Sequence, residues 1–449
     1  MAAMRRPVGA ALVTAAAVAA AYSLSPLTVI FAGVMVLLLR AAVRGVSGTE
    51  RTWVFGSLGI ALLIRLVALV AIYVTTNPLR ENFQALFGDG RYSIERSLWI
   101  LNEWNGVSIE PLRWFGIYAH YGTIEYDRAL ALIQWVFGPS PYGLTLISVA
   151  AFFGGAVLLY RIARPTYGPA AATAGLVVLL FWPTFVIWSV SMLKESVHLL
   201  LSAVAVTAAV QAARVHRWRE RLLLAAVVGA AVWLIASVRG GSRLILIAAF
   251  LLGYAIFAGA RRSVVIVALV VAAVIGTTTV MARHDVRARS QAEIIDAVHY
   301  HVGHVESLGK SYRAADQYFY DAWPLAPAVN FDEGARYLLR SAAMFAAVPL
   351  PSHVVSASEI LLLPQHFTWW LLVLLACVGV VVGLRRDALL TGMLAGYCLV
   401  GLAVIAPYSG NIGTLIRHRD MIVPFLVWLG ALGAVGAVGA LAGEPHASY

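Results

Sequence analysis

Charged residues are scarce in this sequence: they form 12% of its 449 residues, whereas 61% of the residues are hydrophobic. Soluble globular domains carry roughly 25% charged residues. With so few charges, a soluble domain could not cover its surface with groups that face water. The composition therefore excludes a soluble domain and predicts an integral membrane protein.

Cysteine and the common nucleotide-binding motifs are also lacking. The two cysteines, Cys377 and Cys398, lie inside apolar runs and suggest no disulfide framework. No P-loop, dinucleotide-binding glycine fingerprint or nucleophile elbow occurs, which argues against a nucleotide-hydrolysing pump. The net charge of +11 comes from basic residues dispersed between apolar segments. It therefore predicts contact with the lipid bilayer and no nucleic-acid partner.

Long apolar runs dominate the chain. A spanning helix needs about 20 apolar residues, and this rule predicts an all-α polytopic protein of roughly twelve transmembrane helices. The first run follows Arg5 and Arg6 and also resembles a signal peptide, so its cleavage stays open. The predicted spans are Val8 to Tyr22, Leu27 to Val43, Trp53 to Thr76, Tyr142 to Tyr160, Ala170 to Val190, Val197 to Ala213, Leu222 to Val238, Leu244 to Ala260, Ser263 to Met281, Phe367 to Leu384, Ala388 to Pro407 and Met421 to Leu441.

Short basic connections orient these spans, because cytoplasmic loops carry an excess of Lys and Arg. Arginines recur at alternate connections, which predicts that both termini lie inside. Besides the N-terminal turn, five segments are then external: Asn77 to Pro141, the turn near Lys194, Arg239 to Arg243, Ala282 to His366, and Tyr408 to Asp420.

Four regions follow from this topology. Residues 1–51 form an N-terminal hairpin, 52–281 a catalytic transmembrane module that includes the external loop 77–141, 282–366 an external loop region, and 367–449 the C-terminal helices. Within loop 77–141, the segments Ser97 to Trp104, Glu110 to Tyr121 and Asp127 to Phe137 mix apolar and polar residues as interfacial helices do. Packing of an ordinary aromatic belt is the alternative.

The most informative stretch of that loop is Gly88-Asp89-Gly90-Arg91, which continues through Glu95 and Arg96. It follows a predicted span, so its charges emerge at one edge of the bilayer. Ionisable groups there face water or lipid headgroups, where an enzyme acting on a phospholipid-linked substrate would need them. The alternative is that Gly-Asp-Gly forms only a turn.

Positive charge on the predicted outer side is the second signal. Arg239 and Arg243 flank a short external turn, and the run Arg417-His418-Arg419 precedes the last span. External positive charge opposes the positive-inside trend, and arginine forks suit phosphate, so these residues predict a bound lipid phosphate or pyrophosphate. Binding of bulk anionic lipid is the alternative.

Two further features concern charges near or inside spans. Lys194-Glu195 stands between two apolar helices, where a charge pair is either a solvated turn or is held for function. Arg65 lies in the middle of a span and needs a partner in the bundle, whereas Trp182-Pro183 predicts a kink.

The segment Ala282 to His366 contains five histidines, and three of them suggest a zinc site by their spacing. No cysteine or HExxH pattern supports zinc, so surface histidines are favoured and no metal ligands are predicted. The histidines are His284, His299, His301, His304 and His353.

With these pieces placed, the chain from about Trp53 to its C-terminus resembles the GT-C superfamily of polyprenyl-phosphate-sugar-dependent glycosyltransferases, which contains protein O-mannosyltransferases and aminoarabinose transferases. In that family an acid in the first large external loop is the catalytic base, and Asp89 stands at the matching place. A further acid in the next short external loop is matched by Glu195. Many relatives carry paired acids in the first loop, whereas here Gly90 follows Asp89. That departure speaks against metal assistance, and the cofactor stays open.

The resemblance implies an inverting transfer on the external face of the cell membrane. The donor would be a polyprenyl-phosphate sugar, and the acceptor a protein, glycan or lipid. Asp89 would act as general base and Glu195 would position the acceptor or the cations. The residues expected to bind the donor phosphate are Arg91, Lys194, Arg239, Arg243, Arg417, His418 and Arg419. Two rivals remain: a polymerase or ligase of lipid-linked polysaccharide, and a membrane transporter.

Overall fold

The structure is a computed structural model, and it describes residues 14–23, 25–76, 88–110, 124–262, 283–307, 309–323, 325, 328–350 and 357–442. Helices are the regular elements of this part of the chain. Extended backbone pairs in one isolated bridge there, between Ser311 and Asn411. The prediction of an all-α protein is confirmed.

The helices of the first half of the chain are α1 (Thr14–Ser23), α2 (Pro26–Val43), α3 (Gly48–Thr75), α4 (Gly88–Trp104), α5 (Ile124–Phe137), α6 (Pro141–Tyr167), α7 (Pro169–Phe181), α8 (Pro183–Ser189), α9 (Glu195–Arg214) and α10 (Trp218–Val238). Those of the second half are α11 (Ser242–Arg261), α12 (His284–Glu306), α13 (Gln317–Asp321), α14 (Phe331–Ala347), α15 (Ala357–Arg386), α16 (Ala388–Ile405) with the 3₁₀ turn Ala406–Tyr408, α17 (Ile412–Arg419) and α18 (Val423–Leu441).

Within the described residues, nine helices are long and apolar enough to cross a membrane. They are α2, α3, α6, α9, α10, α11, α15 from Leu363, α16 with its 3₁₀ turn, and α18. The pair α7 and α8 makes a tenth if it is one broken span. The chain is therefore a multi-pass membrane protein. Of the twelve predicted spans, Ser263 to Met281 lies outside the described residues and Val8 to Tyr22 is described only over α1.

The chain divides into two compact units. Unit 1 comprises Met1–Ile162 and Leu180–Arg243, and unit 2 comprises Ala163–Leu179 and Leu244–Tyr449. Asp89, Lys194, Glu195 and Arg239 belong to unit 1. The Arg417-His418-Arg419 run belongs to unit 2. The four predicted regions stay a prediction.

A fully buried arginine, Arg65 on α3, organises the middle of unit 1. Its Nε donates to Ser189 Oγ at 2.7 Å, and its Nη2 donates to the Leu180 carbonyl at 3.1 Å. Its Nη1 donates to the Ala61 carbonyl at 3.0 Å, one turn back on its own helix. The guanidinium carbon lies 4.4 Å from the centre of the Phe152 ring. The sequence predicted that Arg65 needs a partner in the bundle. In the structure it bonds to one hydroxyl and two carbonyls and lies over an aromatic ring.

Two of these hydrogen bonds, those to Leu180 and Ser189, lie on the two sides of a break in the helical backbone. The helices α7 and α8 meet at Trp182 and Pro183 with a bend of 60°. Proline lacks an N–H and clashes with the preceding turn, so it breaks the helix as predicted. The carbonyl of Leu180, left near the end of α7, is taken up by Arg65. The short helix α8 then ends at Ser189, and residues 190–194 lead into α9.

The external loop predicted at 77–141 contains two packed helices of unit 1, α4 and α5. Part of their contact is apolar and centres on Ile100, Leu101 and Ala131. The predicted segments Ser97 to Trp104 and Asp127 to Phe137 are helical, and most of Glu110 to Tyr121 lies outside the described residues. Their position at the membrane surface stays a prediction. Because α4 begins at Gly88, the Gly-Asp-Gly stretch is the first turn of a helix, so the reading of it as an isolated turn is wrong.

In unit 2, α15 and α18 pack closely through glycine. A Cβ added to Gly379 would lie 1.8 Å from the Leu429 carbonyl oxygen, and one added to Gly433 would lie 1.9 Å from the Leu375 carbonyl oxygen. Only glycine fits at either position. Small residues at a helix interface let two backbones approach in this way inside a membrane.

The region 282–366 is also largely helical in its described part. The helices α12, α13 and α14 enclose an apolar core that includes Val298, Val302, Phe319 and Tyr337. Helix α14 begins with a capping box, in which the side chain of Asn330 accepts from the Glu333 N–H and Glu333 accepts from the Asn330 N–H. The predicted loop region is therefore a folded part of unit 2.

The bonds of Arg65 can be tested with Arg65→Lys, which keeps the charge and removes the planar fork. A single ammonium cannot reach acceptors on α3, α7 and α8 together. Because a hydrogen bond to a charged group contributes about 1.5–3 kcal/mol, we expect the free energy of unfolding to fall by about that amount. Thermal unfolding of the purified protein measures it. The control is Arg40→Lys at an exposed position in the last turn of α2; equal midpoints for both variants would contradict the assignment.

Candidate functional site

The first turn of α4 lies against the turn that precedes α9. A Cβ added to Gly90 would lie 3.6 Å from the backbone nitrogen of Met192. The neighbouring Asp89 is exposed. An accessible carboxylate therefore stands beside the backbone that leads into Lys194.

A buried ion pair joins α4 to α5 just behind this turn. Arg96 Nη1 and Asp127 Oδ2 are 3.1 Å apart, and both side chains are almost fully buried. Burial raises the pKa of Asp127, and the nearby charges of Lys194 and Arg96 lower it only in part. Removing the Asp127 carboxylate from water therefore costs more free energy than its interactions with Lys194 and Arg96 restore.

Lys194 lies between these charges and α9. It is half-buried, and its Nζ lies 5.4 Å from the centre of the buried Tyr126 ring on α5. Burial lowers the pKa of Lys194, the Asp127 carboxylate opposes that change, and the positive charge of Arg239 adds to it. Both carboxylate and guanidinium charges therefore act on this ammonium group.

Glu195 begins α9 and is buried, with 6% of its surface exposed. Its Oε1 lies 3.7 Å from Nη2 of Arg239, the residue that ends α10. The alternative reading of Lys194-Glu195 as a solvated turn is therefore wrong. We call the five residues Arg96, Asp127, Lys194, Glu195 and Arg239 the buried charge cluster.

A histidine one turn along α9 bonds to Ser242, a residue of unit 1 at the start of α11. His198 is buried, and its Nε2 shares a hydrogen bond of 3.0 Å with Oγ of Ser242. The bond connects α9 to the first residue of α11. Arg243 follows at an exposed position. Arg91 is also exposed and pairs with Glu95 on its own helix at 2.8 Å, so the structure places Arg91 and Arg243 outside the buried charge cluster.

Arg419, in unit 2, is buried and bonded to backbone. Its Nε donates to the Phe345 carbonyl at 2.7 Å, and its Nη2 donates to the carbonyls of Phe345 and Val348 at the C-terminal end of α14. Its guanidinium carbon lies 4.7 Å from the centre of the Trp369 ring. Burial lowers the pKa of Arg419 to about 9. These contacts join α17 to the end of α14, where helix carbonyls lack partners.

The two residues before Arg419 are half-buried. His418 Nδ1 lies 2.7 Å from Oγ of Ser409, which precedes α17. Arg417 lies on the same short helix. Ser409 fixes the ring of His418, so this part of the predicted phosphate site is a helix held by polar bonds at both ends.

His301 is fully buried, so the prediction of surface histidines is wrong at this position. Its Nδ1 donates to the Ser409 carbonyl at 2.6 Å, and its Nε2 accepts from the Tyr320 hydroxyl at 2.9 Å. Burial lowers the pKa of His301 to about 4, so the ring is neutral at pH 7. Among the described residues no group of three or more His, Cys, Asp or Glu is placed to hold a metal. His353 lies outside them.

The sequence assigned no functional role to two buried residues of unit 1, Asp127 and His198, and it named Arg96 only as part of the stretch from Gly88. A signal existed for Asp127. It shares one helical stripe, at spacings of three, four and seven, with Leu130, Ala131 and Gln134, and all four residues are buried. A charge on such a stripe needs a buried partner, but the spacing does not say that Arg96 supplies it.

Comparisons with known proteins do not assign this chain to a family. No protein-family model matches the chain, and no curated protein matches it. Among solved structures it is similar to ArnT from Cupriavidus metallidurans in the apo state. The two are 14% identical with a TM-score of 0.36, over 86% of this chain and 79% of that one. A likeness at this level does not decide the family.

The buried pair can be tested with Asp127→Ala. This change leaves Arg96 buried without its carboxylate, so we expect the free energy of unfolding to fall by about 3–5 kcal/mol. The matched control is Glu95→Ala, which breaks the exposed Arg91–Glu95 pair on α4, the helix of Arg96, and should cost only about 0–1 kcal/mol. Denaturation of both purified variants measures the difference. Similar losses of unfolding free energy in the two variants would show that the Arg96–Asp127 pair contributes no more to stability than the exposed pair does.

Proposed function

We propose that this chain is a membrane glycosyltransferase of the GT-C type. It moves a sugar from a polyprenyl-phosphate donor to an acceptor on the external face. The observation that carries the proposal lies within unit 1: the helix turn that holds the exposed carboxylate of Asp89 packs against the turn that leads to the cation Lys194. Such a pairing suits a reaction in which a hydroxyl loses a proton while a phosphate departs.

The cations hold the donor phosphate. The buried charge cluster contains three cations and two carboxylates, so one positive charge is in excess. Lys194 and Arg239 are half-buried and reach the surface, whereas Arg96 is enclosed. Charge-assisted bonds to phosphate are strong where little water competes. Lys194 and Arg239 therefore contact the phosphate, and Glu195 orients Arg239.

The other predicted cations have different parts. Arg91 and Arg243 are exposed in unit 1 and draw the anionic donor towards the cluster by their charge. Arg417 and His418 belong to unit 2, and their predicted binding of a lipid phosphate is proposed for that unit by itself. The guanidinium of Arg419 is largely occupied by backbone carbonyls, so Arg419 positions the helix that carries them.

Asp89 acts as the general base. The acceptor hydroxyl attacks the anomeric carbon and gives its proton to the Asp89 carboxylate. The bond from the anomeric carbon to the phosphate oxygen breaks as the new glycosidic bond forms, and polyprenyl phosphate leaves beside Lys194 and Arg239. Attack opposite the leaving group inverts the anomeric centre.

Two other functions each have one feature in their favour. The folded region of 282–366, with its buried histidine and tyrosines, suits a polymerase or ligase of lipid-linked polysaccharide that works there. The break between α7 and α8 suits a transporter, because discontinuous helices often form transport sites. Product analysis separates the first from the proposal, since a polymerase or ligase transfers whole glycan chains.

The base is tested with Asp89→Asn, which preserves shape and removes proton-accepting ability. We expect transfer to fall at least about 10²-fold while the protein stays folded and binds donor. Purified protein, a polyprenyl-phosphate sugar and a crude acceptor fraction serve for the assay. Glu125→Gln, an exposed carboxylate on α5, is the control and should transfer normally. Near-normal transfer by Asp89→Asn would remove Asp89 from the mechanism.

The phosphate site is tested with Arg239→Gln. Loss of a charge-assisted bond costs about 1.5–3 kcal/mol, so the affinity for polyprenyl phosphate should fall by about 10- to 150-fold. Arg217→Gln is the matched control, because Arg217 lies at the other end of α10, about 30 Å away. A binding titration with polyprenyl phosphate compares them. Unchanged affinity in Arg239→Gln would refute this phosphate assignment.

A further inference from the structure

A cavity of about 550 Å³ lies between α4 and α5, apart from the buried charge cluster. Cavities of about 300–1,000 Å³ commonly take small ligands. One wall is a single face of α4, in which the lining residues repeat at helical spacing. The lining residues are Glu95, Leu98, Trp99, Leu101, Asn102 and Asn105 from this side, and Gln134, Trp135, Gly138 and Pro139 from the other.

The lining combines flat aromatic surface with neutral hydrogen-bonding groups. Trp99 and Trp135 offer indole rings, whose negative faces attract the slightly positive C–H groups of a ring. The amides of Asn102 and Asn105 can each donate and accept, as a ligand with many hydroxyl groups requires. This combination matches a sugar ring, which has an apolar face and a hydroxylated edge.

The charge of the cavity excludes the phosphate chemistry proposed for the cluster. None of its lining residues, all of which lie in the described part of the chain, is Lys or Arg. Its one acid, Glu95, forms an ion pair with Arg91. A phosphate or an anionic sugar would find no cation on the walls, so the fitting ligand is neutral.

The cavity lies along the helix that carries Asp89. Glu95 is six residues further on, about 9 Å along the axis, and Asn102 is about 20 Å along it. These distances suit sugar units that precede the reacting one in an extended acceptor. Binding of such remote units can lower the barrier at the reacting centre.

We propose that this cavity binds neutral sugar units of an oligosaccharide acceptor. The inference rests on the glycosyl transfer proposed above for the identity of the acceptor, whereas the binding of saccharide is measurable without any transfer. Tryptophan and asparagine side chains recognise the sugar, and the distance to Asp89 makes the cavity a subsite for units remote from the reaction.

The test is saturation-transfer NMR of the full chain in lipid nanodiscs, prepared without alkyl glycoside detergents that carry a sugar headgroup. The probes are cellobiose, maltose, lactose and mannobiose, with phosphocholine as a rival ligand. We expect a disaccharide to bind, and Trp135→Ala to weaken it about ten-fold, the upper range of an aromatic contact. Trp104→Ala, an exposed tryptophan on α4 outside the cavity, should bind as the unchanged protein does.

The outcomes separate this inference from the proposed function. Binding that Trp135→Ala weakens and Trp104→Ala does not supports the subsite, even if no transfer is found, and lack of transfer then counts against the proposed function alone. Binding of no disaccharide, equal binding by Trp135→Ala, an equal loss in Trp104→Ala, or binding of phosphocholine alone overturns the subsite. If glycosyl transfer is still observed in any of those cases, the proposed function is not contradicted.

Discussion

A guanidinium inside a membrane span must find acceptors, and the way Arg65 does so holds together the middle of unit 1. Its donors meet a hydroxyl on α8 and a carbonyl on α7, on the two sides of one broken helix. The break frees backbone carbonyls that would be costly in an apolar setting, and the arginine would be costly there alone. The arginine donates a hydrogen bond to the freed carbonyl of Leu180, and that carbonyl gives the arginine one of the acceptors it needs. The end of α8, and with it the turn that leads to Lys194, is held by this exchange.

The buried charge cluster follows from the same rule, applied to several charges at once. Arg96 and Asp127 satisfy each other, and Glu195 lies within ion-pair distance of Arg239. Because burial raises the pKa of Asp127 and lowers that of Lys194, both charges are costly where they stand. Such ion pairs are weak contributors to stability. The phosphate proposed to bind there would offset part of the cluster's positive charge.

Around Ser409, unit 2 buries neutral polar groups instead of charged ones. The carbonyl of Ser409 accepts from His301 Nδ1 and from the Tyr312 hydroxyl, while its Oγ bonds to His418. His301 is neutral because burial lowers its pKa to about 4, so no ion must be compensated there. The network anchors the start of α17 to α12. Arg419 anchors the end of α17 to α14 through backbone carbonyls.

The sequence by itself determined the membrane-spanning elements. Runs of about 20 apolar residues can satisfy their backbone in a membrane only as helices, so composition and length predicted the all-α spans. Proline at position 183 predicted the break, and the charge of Arg65 predicted a buried partner. Each of these conclusions depends on the chemistry of one residue or one segment.

Tertiary structure alone decided which polar groups meet. Arg96 pairs with Asp127, which lies 31 positions later in the sequence, and His301 bonds to Ser409, which lies 108 positions later. Helical periodicity reports which face of a helix is apolar, but it carries no information about the element that packs there. For that reason the sequence marked Asp89, Lys194, Glu195 and Arg239 as candidates one by one. It missed Asp127, took His301 for a surface residue, and could not distinguish exposed Arg91 from buried Arg96, because burial is a property of the packed chain.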